Sequence, residues 1–371
     1  MVSDKTLYMQ IYEFLKEKII SKEIVPGQQL PTELELADQF GVSRITSKNA
    51  LNQLESEGLV YRKQGKGTFV SASAPKIYTQ SMNKVIAMVF PFETANNSSG
   101  FVMSYVNGAM SYLAPRGYYI SIHCTEWNYD VERNILKSLP ASGVGGIIYS
   151  PESSTKHIDL LNLLCLDKYP IVTIDKYYEG MQLSSVTSDN FNGQYKLTEE
   201  LIKMGHRKMT YLTCEDIEDK TSLRDRYFGY CKAMKDYGIQ IDRDISLIDY
   251  HSVDSEEERI KFLEKEIDYL LKRGVTAILV ENDLEAIKLE KVILNMGLSV
   301  PKDISIAGFD DLDWLEHLEL KLTTVRQNNF EIGRRAAEII VKMIEEEYEY
   351  VVEKVPTEVI IRETTDILKE S

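Results

Sequence analysis

Polar side chains directly follow several apolar runs in the part of the sequence after residue 84, at positions where buried strands are expected to end. They are Asp175, Asp189 with Asn190, Asn282 with Asp283, and Asp310 with Asp311. Carboxylates accept hydrogen bonds, and amides both accept and donate them. Residues of these two types converging on one cleft can bind the hydroxyl groups of a polyol. The pattern therefore predicts a binding site for a sugar-like molecule.

A second group of polar residues, near the N-terminus, is basic. Arg44 and Lys48 are four residues apart and share one face of a predicted helix, and Gly65, Lys66 and Gly67 form the tip of a predicted hairpin. Two exposed bases on a helix are ordinary surface charges when taken alone. Combined with a helix-turn-helix pattern and a glycine-rich wing, they favour contact with double-stranded DNA.

Motifs for catalysis and metal binding are absent from the sequence. No G-x-S-x-G, Walker A or G-x-G-x-x-G pattern occurs, and Gly65-Lys66 lacks the Ser or Thr and the upstream glycine of a P-loop. The five histidines have no metal-ligand spacing, and the four cysteines form no C-x-x-C pair. The sequence therefore predicts a protein that is not an enzyme and that has no cofactor and no metal site.

The elements predicted to position the basic residues are three short helices and a hairpin. The first helix carries an apolar stripe of Leu7, Ile11, Leu15 and Ile19. Thr32 and Glu35 have capping-box spacing at the start of the second helix, which Gly41 ends. Its predicted buried face comprises Leu34, Ala37 and Phe40. The third helix follows Ser43 as its N-cap and leads into a two-stranded hairpin.

The polar residues after residue 84 follow predicted strands, and these strands alternate with helical patterns. The predicted strands are Val85–Phe90, Tyr118–His123, Gly146–Tyr149, Ile171–Asp175, Met209–Thr213, Ala277–Glu281 and Ile304–Phe309. Such alternation predicts parallel sheets with helices on both faces. Seven strands over this length indicate two lobes, with ligands bound outside the carboxyl ends of the strands.

The charges divide the chain at the same place. The net charge is -15, yet residues 1–71 hold nine bases and nine acids, so the whole imbalance belongs to the remainder. Residues 44–70 carry a local charge of +3. We predict a DNA-binding domain over 1–71, a linker over 72–83 and an effector-binding domain over 84–371. The start lacks a secretory signal pattern and no apolar run reaches about 18 residues, so we expect a cytoplasmic protein without a membrane partner.

The N-terminal residues resemble a known family. The run PTELELADQFGVSRITSKNALNQLESEGLVYRKQGKGTFV is similar to the winged helix-turn-helix domain of GntR-type bacterial regulators. This resemblance implies DNA contacts from Arg44, Thr46 and Lys48 and from the wing Gly65–Gly67, and the predicted contact set also includes Thr32 and Ser47. Leu34 and Lys48 both stand where many members carry arginine. Arginine can form two parallel hydrogen bonds to a guanine, whereas lysine offers a single point charge. We therefore expect the base preference of this protein to differ from that of members with arginine at these positions.

The sequence from about residue 84 to 368 resembles the effector domains of LacI/GalR-type repressors. The resemblance rests on Ser142-Gly-Val-Gly-Gly-Ile-Ile, Ser188-Asp-Asn, Met204-Gly-His-Arg-Lys, Arg226-x-x-Gly-Tyr, Val300-Pro-x-Asp-Ile-Ser-Ile-Ala-Gly-Phe-Asp-Asp and Leu322-Thr-Thr-Val-Arg-Gln. It implies a periplasmic-binding-protein-like fold, a homodimer, and hinge crossings near 187, 323 and 353. The effector-binding residues that it implies are Arg226, Asn282, Asp310, Asp175, His251 and Phe101.

Together the two resemblances imply the architecture of arabinose-type repressors. We therefore expect a dimeric transcriptional regulator that binds a palindromic operator and is released by a small sugar, with L-arabinose as a candidate. A purine effector on the same architecture is one alternative, since Tyr177, Tyr178 or Trp127 could stack on a base. A sugar-active enzyme fused to a DNA-binding domain is another.

Overall fold

The computed structural model describes residues 7–20, 23–56, 59–63, 66–71, 84–92, 100–253, 255–312, 321–345 and 349–368. The chain forms two compact units, Met1–Lys84 and Val85–Ser371. The predicted linker over 72–83 lies outside the described residues.

The N-terminal unit is the predicted winged helix-turn-helix. Its elements are α1 (Leu7–Ile20), α2 (Glu33–Phe40), α3 (Arg44–Ser56), β1 (Val60–Lys63) and β2 (Gly67–Val70). The two strands pair antiparallel, with Val60 opposite Val70 and Lys63 opposite Gly67. Apolar side chains from all three helices and from the hairpin form one core, which includes Ile11, Leu36 and Leu54. This core fixes α3 against the rest of the unit.

Helix α2 has the predicted caps, but its buried face differs from the prediction. The Thr32 hydroxyl accepts a bond from the Glu35 backbone N–H, and the Glu35 carboxylate accepts one from the Thr32 N–H at 2.7 Å. Leu36 and Ala37 are buried, whereas Leu34 is 61% exposed. The predicted burial of Leu34 was wrong because Leu34 and Leu36 are two residues, or about 200°, apart around the helix.

The first lobe of the C-terminal unit is a six-stranded parallel sheet. Its strands are β3 (Val85–Phe90), β4 (Tyr119–Cys124), β5 (Gly146–Tyr149), β6 (Ile171–Ile174), β7 (Ser184–Ser188) and β13 (Val352–Val355), in the order β13-β7-β6-β5-β3-β4. Its helices are α4 (Gly100–Leu113), α5 (Tyr129–Ser138), α6 (Ile158–Leu166) and α11 (Asn329–Glu345). Alternate residues of β3 belong to two cores, one shared with α4 and α11 and the other with α5 and α6. Helices therefore cover both faces.

The second lobe contains a four-stranded parallel sheet and a short antiparallel pair. Its elements are α7 (Asn190–Lys203), β8 (Met209–Thr213), α8 (Thr221–Asp236), β9 (Leu247–Asp249), α9 (Glu256–Lys272), β10 (Ala277–Val280), α10 (Asp283–Asn295), β11 (Ser305–Ala307), β12 (Thr324–Arg326) and β14 (Glu358–Ile360). The parallel sheet has the order β11-β10-β8-β9, and β12 pairs with β14. All seven predicted strands are present, with ends moved by at most two residues.

Three segments connect the lobes. The chain passes from β7 to α7 at residues 188–190, from β12 to α11 at 326–329, and from β13 to β14 at 355–358. Within the part of the chain that the structure describes, no helix is both long enough and apolar enough to span a membrane.

Two glycines allow α4 and α11 to approach closely. A Cβ atom added at Gly108 would lie 1.9 Å from the Phe330 carbonyl oxygen, and one at Gly333 would lie 2.0 Å from the Tyr105 carbonyl oxygen. Both distances are far below van der Waals contact, and the opposing atoms belong to the backbone. A side chain at either position would therefore have to push the helices apart.

Gly108→Ala is expected to lower the free energy of unfolding of the C-terminal unit by roughly 1–3 kcal/mol, since overpacking displaces backbone. Urea unfolding of the full chain would measure this loss. Asn134→Ala is the control, because Asn134 is exposed on α5 of the same lobe and outside the contact of α4 with α11. Equal stability of the two variants would contradict the close approach of α4 and α11.

Candidate functional site

The two lobes enclose a cavity of about 250 Å³. Four of the residues predicted to bind an effector line it: Asp175, Arg226, Asn282 and Asp310. Asp175 follows β6, Arg226 lies on α8, Asn282 precedes α10, and Asp310 follows β11. The apolar part of the lining includes four aromatic residues, Phe90, Phe92, Tyr105 and Trp127. The cavity thus combines polar groups at strand and helix ends with an apolar wall.

The guanidinium of Arg226 is the most constrained polar group in this cavity. Arg226 is 4% exposed, and its Nε donates to Asn190 Oδ1 at 2.9 Å. Its Nη1 donates to the Glu281 carbonyl oxygen at 2.5 Å, and its Cζ lies 3.8 Å from the centroid of the Phe309 ring. Nη2 lies 3.6 Å from Asp310 Oδ1. These contacts fix the plane of the guanidinium, and its Nη2 group faces the Asp310 carboxylate.

The two aspartates of the cavity differ in their pKa shifts. Burial raises the pKa of Asp310, Arg226 opposes the rise and Asp283 adds to it, so the net shift is upward. Burial also raises the pKa of Asp175, but Lys176 and Arg226 lower it by more, so the net shift is downward. The difference follows the distances to the cations, because Lys176 Nζ lies 2.5 Å from Asp175 Oδ2 while Arg226 Nη2 lies 3.6 Å from Asp310 Oδ1.

Sequence analysis missed a second charged group in the cavity, which is centred on Lys220. The buried Lys220 ammonium lies 2.9 Å from Glu152 Oε1 and 2.8 Å from Glu215 Oε2, and all three residues line the cavity. Burial lowers the pKa of Lys220, but the two carboxylates raise it by more. Glu152 lies just beyond β5 and Glu215 just beyond β8, so the rule applied to Asp175 could have found both.

Several residues of this region have a left-handed backbone conformation. Asp175 has φ 67°, Asp310 φ 132° and Asp311 φ 55°, and Trp127, which also lines the cavity, has φ 55°. Non-glycine residues rarely occupy this region, and such strain is concentrated at binding and catalytic sites. Three of these residues, Trp127, Asp175 and Asp310, line the cavity, whereas Glu126, His157 and Lys168 have a positive φ and lie outside its lining.

Two other polar residues at element ends have capping roles. Asn282 caps α10 by accepting a bond from the Glu285 N–H at 2.9 Å, while its side chain also lines the cavity. Asp189 caps α7 through the Asn192 N–H at 3.3 Å, and it is not among the residues that line the cavity. Only Asn282 therefore combines a cap with a place in the site.

The remaining two predicted effector contacts are not placed in the cavity. His251 lies in the exposed turn after β9, where its Nδ1 lies 2.8 Å from Asp249 Oδ1, and it does not line the cavity. Its strand, β9, is the edge strand farthest from β11 and the Asp310 turn. An effector contact from His251 stays a prediction. Phe101 belongs to the first turn of α4, and its side chain lies outside the described residues.

The predicted DNA contacts are divided between surface and interior. Arg44 and Lys48 are exposed on α3, and Lys66 with Gly67 lies at the start of β2. Thr46 Oγ1 lies 2.8 Å from Ser43 Oγ at the helix start. Gly65 lies outside the described residues.

Two further members of the predicted DNA-contacting set have structural roles. Ser47 is fully buried and its hydroxyl donates to the Glu33 carbonyl oxygen at 2.7 Å. The prediction of a DNA contact from Ser47 is therefore corrected, since this hydroxyl ties α3 to α2. Thr32 uses its hydroxyl in the capping box of α2.

Direct hydrogen bonds join the lobes beside the cavity, in a group that we name the interlobe clasp (residues 153–155 and 177 with 219 and 221). Asp219 Oδ1 accepts from the Ser153 hydroxyl at 2.5 Å and also from the Thr155 hydroxyl. The Asp219 carbonyl oxygen accepts from the Ser154 N–H at 2.8 Å. Thr221 Oγ1 lies 3.0 Å from Ser154 Oγ and accepts from the Tyr177 N–H. The clasp holds the lobes together across the cleft.

Asp219→Ala is expected to favour separated lobes by roughly 2 kcal/mol, because hydrogen bonds to a charged acceptor are lost. Small-angle X-ray scattering of the unliganded protein should show a larger radius of gyration. Asp216→Ala is the control, since its carboxylate accepts from the Glu218 N–H within the same turn. Scattering curves that coincide for both variants and the unchanged protein would contradict a closing role of the clasp.

Comparison with known proteins matches both units. Residues 7–70 match the model of the bacterial regulatory proteins of the gntR family, and residues 198–365 match a periplasmic binding protein-like domain. The arabinose metabolism transcriptional repressor of Geobacillus stearothermophilus is 34% identical over 93% of each chain. That of Halalkalibacterium halodurans is 30% identical over 92% of this chain and 90% of the relative.

A solved structure shows the same fold for the C-terminal unit. A LacI family transcriptional regulator from Enterococcus faecium, with bound ribose, aligns with a TM-score of 0.63 at 24% identity, over 77% of this chain and all of that one. The chain therefore belongs to the family of bacterial transcriptional regulators that join a gntR-type domain to a periplasmic-binding-protein-like domain, the family of the arabinose metabolism transcriptional repressors.

Proposed function

We propose that this protein is a DNA-binding transcriptional repressor that a small neutral sugar releases from its operator. The observation that carries this proposal is the cavity between the lobes, where Asp175, Arg226, Asn282 and Asp310 meet. A planar guanidinium flanked by carboxylates and an amide can bind adjacent hydroxyl groups of a sugar ring. The protein would act in the cytoplasm, where its operator lies.

The charges of the cavity favour an uncharged ligand. Its three cations, Lys176, Lys220 and Arg226, each lie within 3.6 Å of a carboxylate oxygen of a lining residue. A phosphate or carboxylate ligand would have to displace one of these carboxylates. Hydroxyl groups, in contrast, can add to the existing pairs as donors and acceptors.

Two lining residues carry buried acceptor atoms that hydroxyl donors of a ligand would pair after a small rearrangement. Glu152 Oε2 and Asn329 Oδ1 are buried and have no hydrogen-bond partner among the described residues. Leaving buried acceptors unpaired costs free energy, and a ligand that supplies donors recovers it. A sugar with several hydroxyl groups meets this requirement better than a purine, which presents few donors.

L-Arabinose is the first candidate, because the two relatives named above are repressors of arabinose metabolism. A purine is the second candidate, because Phe90, Phe92, Tyr105 and Trp127 supply aromatic surface in the cavity. Such rings stack on a planar base as well as on the apolar face of a sugar. The two candidates are separated by the ligand screen described below.

Ligand binding would act on DNA through lobe closure. A ligand held by residues of both lobes stabilises the closed arrangement, and the three connecting segments would absorb the rotation as hinges. The link to DNA requires that closed and open states differ in operator affinity. The proposal assigns no catalytic step to the cavity.

A homodimer would bring two winged-helix units to a palindromic operator. Exposed apolar residues on α4 and on β4 offer a surface for it: Met103, Met110, Tyr119 and Ile122. β4 is an edge strand of its sheet, so another copy can cover it. A twofold dimer would place the same α4 and β4 residues of both copies in one interface.

A thermal-shift screen of L-arabinose, other pentoses, arabinose 5-phosphate and adenine tests the effector class. At about 100 times Kd, a bound sugar should raise the Tm by roughly 5 °C. Arg226→Lys should lose this shift, because lysine keeps the charge but not the planar fork. Lys235→Ala, an exposed site on the same helix, should keep it.

The outcomes are distinct. An increase in Tm with adenine alone would show that the effector is a purine and not a sugar. An increase with arabinose 5-phosphate alone would contradict the argument that the paired charges of the cavity favour an uncharged ligand. If Arg226→Lys retained the full sugar-induced shift in Tm, the guanidinium would not be required for sugar binding.

A further inference from the structure

Helix α3 exposes an isoleucine beside Arg44. Ile45 is 71% exposed, whereas Ile11 and Ile19 of the same unit are buried in its core. A single exposed apolar residue is ordinary on a protein surface. Ile45 is unlike other exposed apolar residues because it lies in the first turn of α3. In helix-turn-helix proteins, residues at the N-terminus of this helix contact base edges.

The burial pattern of α3 places Ile45 within the outward face. Arg44, Ile45, Lys48, Asn49 and Asn52 are all exposed. At 100° per residue these five positions span about 140° of the helix surface. The neighbouring hydroxyls are engaged within the protein, as the contacts of Thr46 and Ser47 show. Ile45 therefore supplies apolar surface to a face that is otherwise polar and basic.

Arg44 is held in an orientation that suits a base contact. Its Nε donates to Glu33 Oε2 at 3.0 Å, while most of the arginine side chain remains exposed. Because this bond uses Nε, the terminal Nη1 and Nη2 groups can form the bidentate pair with guanine O6 and N7. Glu33 is then a positioning residue for Arg44, and Ile45 is the next exposed residue of the same helix.

We propose that Ile45 is a specificity-determining residue that packs on the C5-methyl group of a thymine near the base contacted by Arg44. This inference rests on the proposed DNA-binding function. The thymine methyl is the apolar group that the major groove presents, and cytosine lacks it. Isoleucine has no hydrogen-bonding group, so its contact discriminates through burial of apolar surface alone.

The test removes one methyl group from the DNA. The full chain first selects binding sites from a random-sequence duplex library. Each dT of the recovered site is then replaced by dU, which pairs identically but lacks the methyl. At one position in each half-site, dU should weaken binding about fourfold, or about 15-fold when both half-sites carry it.

Variants locate the contact on the protein. Ile45→Ala should bind the dT and dU duplexes equally, while Ile45→Val should keep most of the difference. Val25→Ala is the matched control, because Val25 is also an exposed aliphatic residue of this unit but lies between α1 and α2, and its variant should keep the full dU effect. Unchanged Tm values of the variants would confirm that folding is intact.

The results separate this inference from the DNA-binding proposal. Failure to enrich any site contradicts DNA binding itself. An enriched site at which no dU weakens binding overturns the role of Ile45, as does a dU effect of equal size in Ile45→Ala. A change in oligomeric state of Ile45→Ala without DNA would place the side chain in a protein contact and would also overturn it.

Discussion

The buried positive charge of Arg226 is the constraint on which the rest of the site depends. A guanidinium that is 4% exposed has lost most of its hydration, so the protein must supply hydrogen bonds and negative charge in its place. Asn190, the Glu281 carbonyl oxygen and Asp310 supply them, and Phe309 covers one face. These partners come from the start of α7, the end of β10 and the turn after β11. One side chain therefore sets the relative positions of three elements and the polarity of the cavity.

The same constraint explains why the cavity requires both lobes. Asp175 and Glu152 belong to the first lobe, whereas Arg226 and Lys220 belong to the second. Opening the cleft would separate Lys220 from Glu152 and would move Asp175 away from Arg226, whose charge lowers its pKa. The clasp at Asp219 and Thr221 acts at the same boundary. A ligand that bridges these charges can therefore change the balance between open and closed lobes.

Much of the site could be predicted from the sequence because it lies where strands end. Parallel strands bring their carboxyl ends to one edge of a sheet, so the sequence alone leads one to expect that Asp175 and Asp310 converge. The buried face of a short helix was harder to predict: α2 has eight residues, and it buries Leu36, which the predicted face did not include, instead of Leu34. The role of Ser47 depends on the Glu33 carbonyl of another helix, and β12–β14 depend on pairing between distant segments. Local patterns carry no information on such contacts.

The central claim is that the cavity and the DNA-binding unit are coupled. Its most direct test is fluorescence-anisotropy titration of a duplex selected by this protein, with and without saturating L-arabinose. The account predicts that the sugar weakens operator binding, with a coupling free energy of roughly 1–3 kcal/mol, or about 5- to 150-fold in Kd. An operator Kd that is the same in both titrations, with sugar binding demonstrated in the same sample, would contradict it.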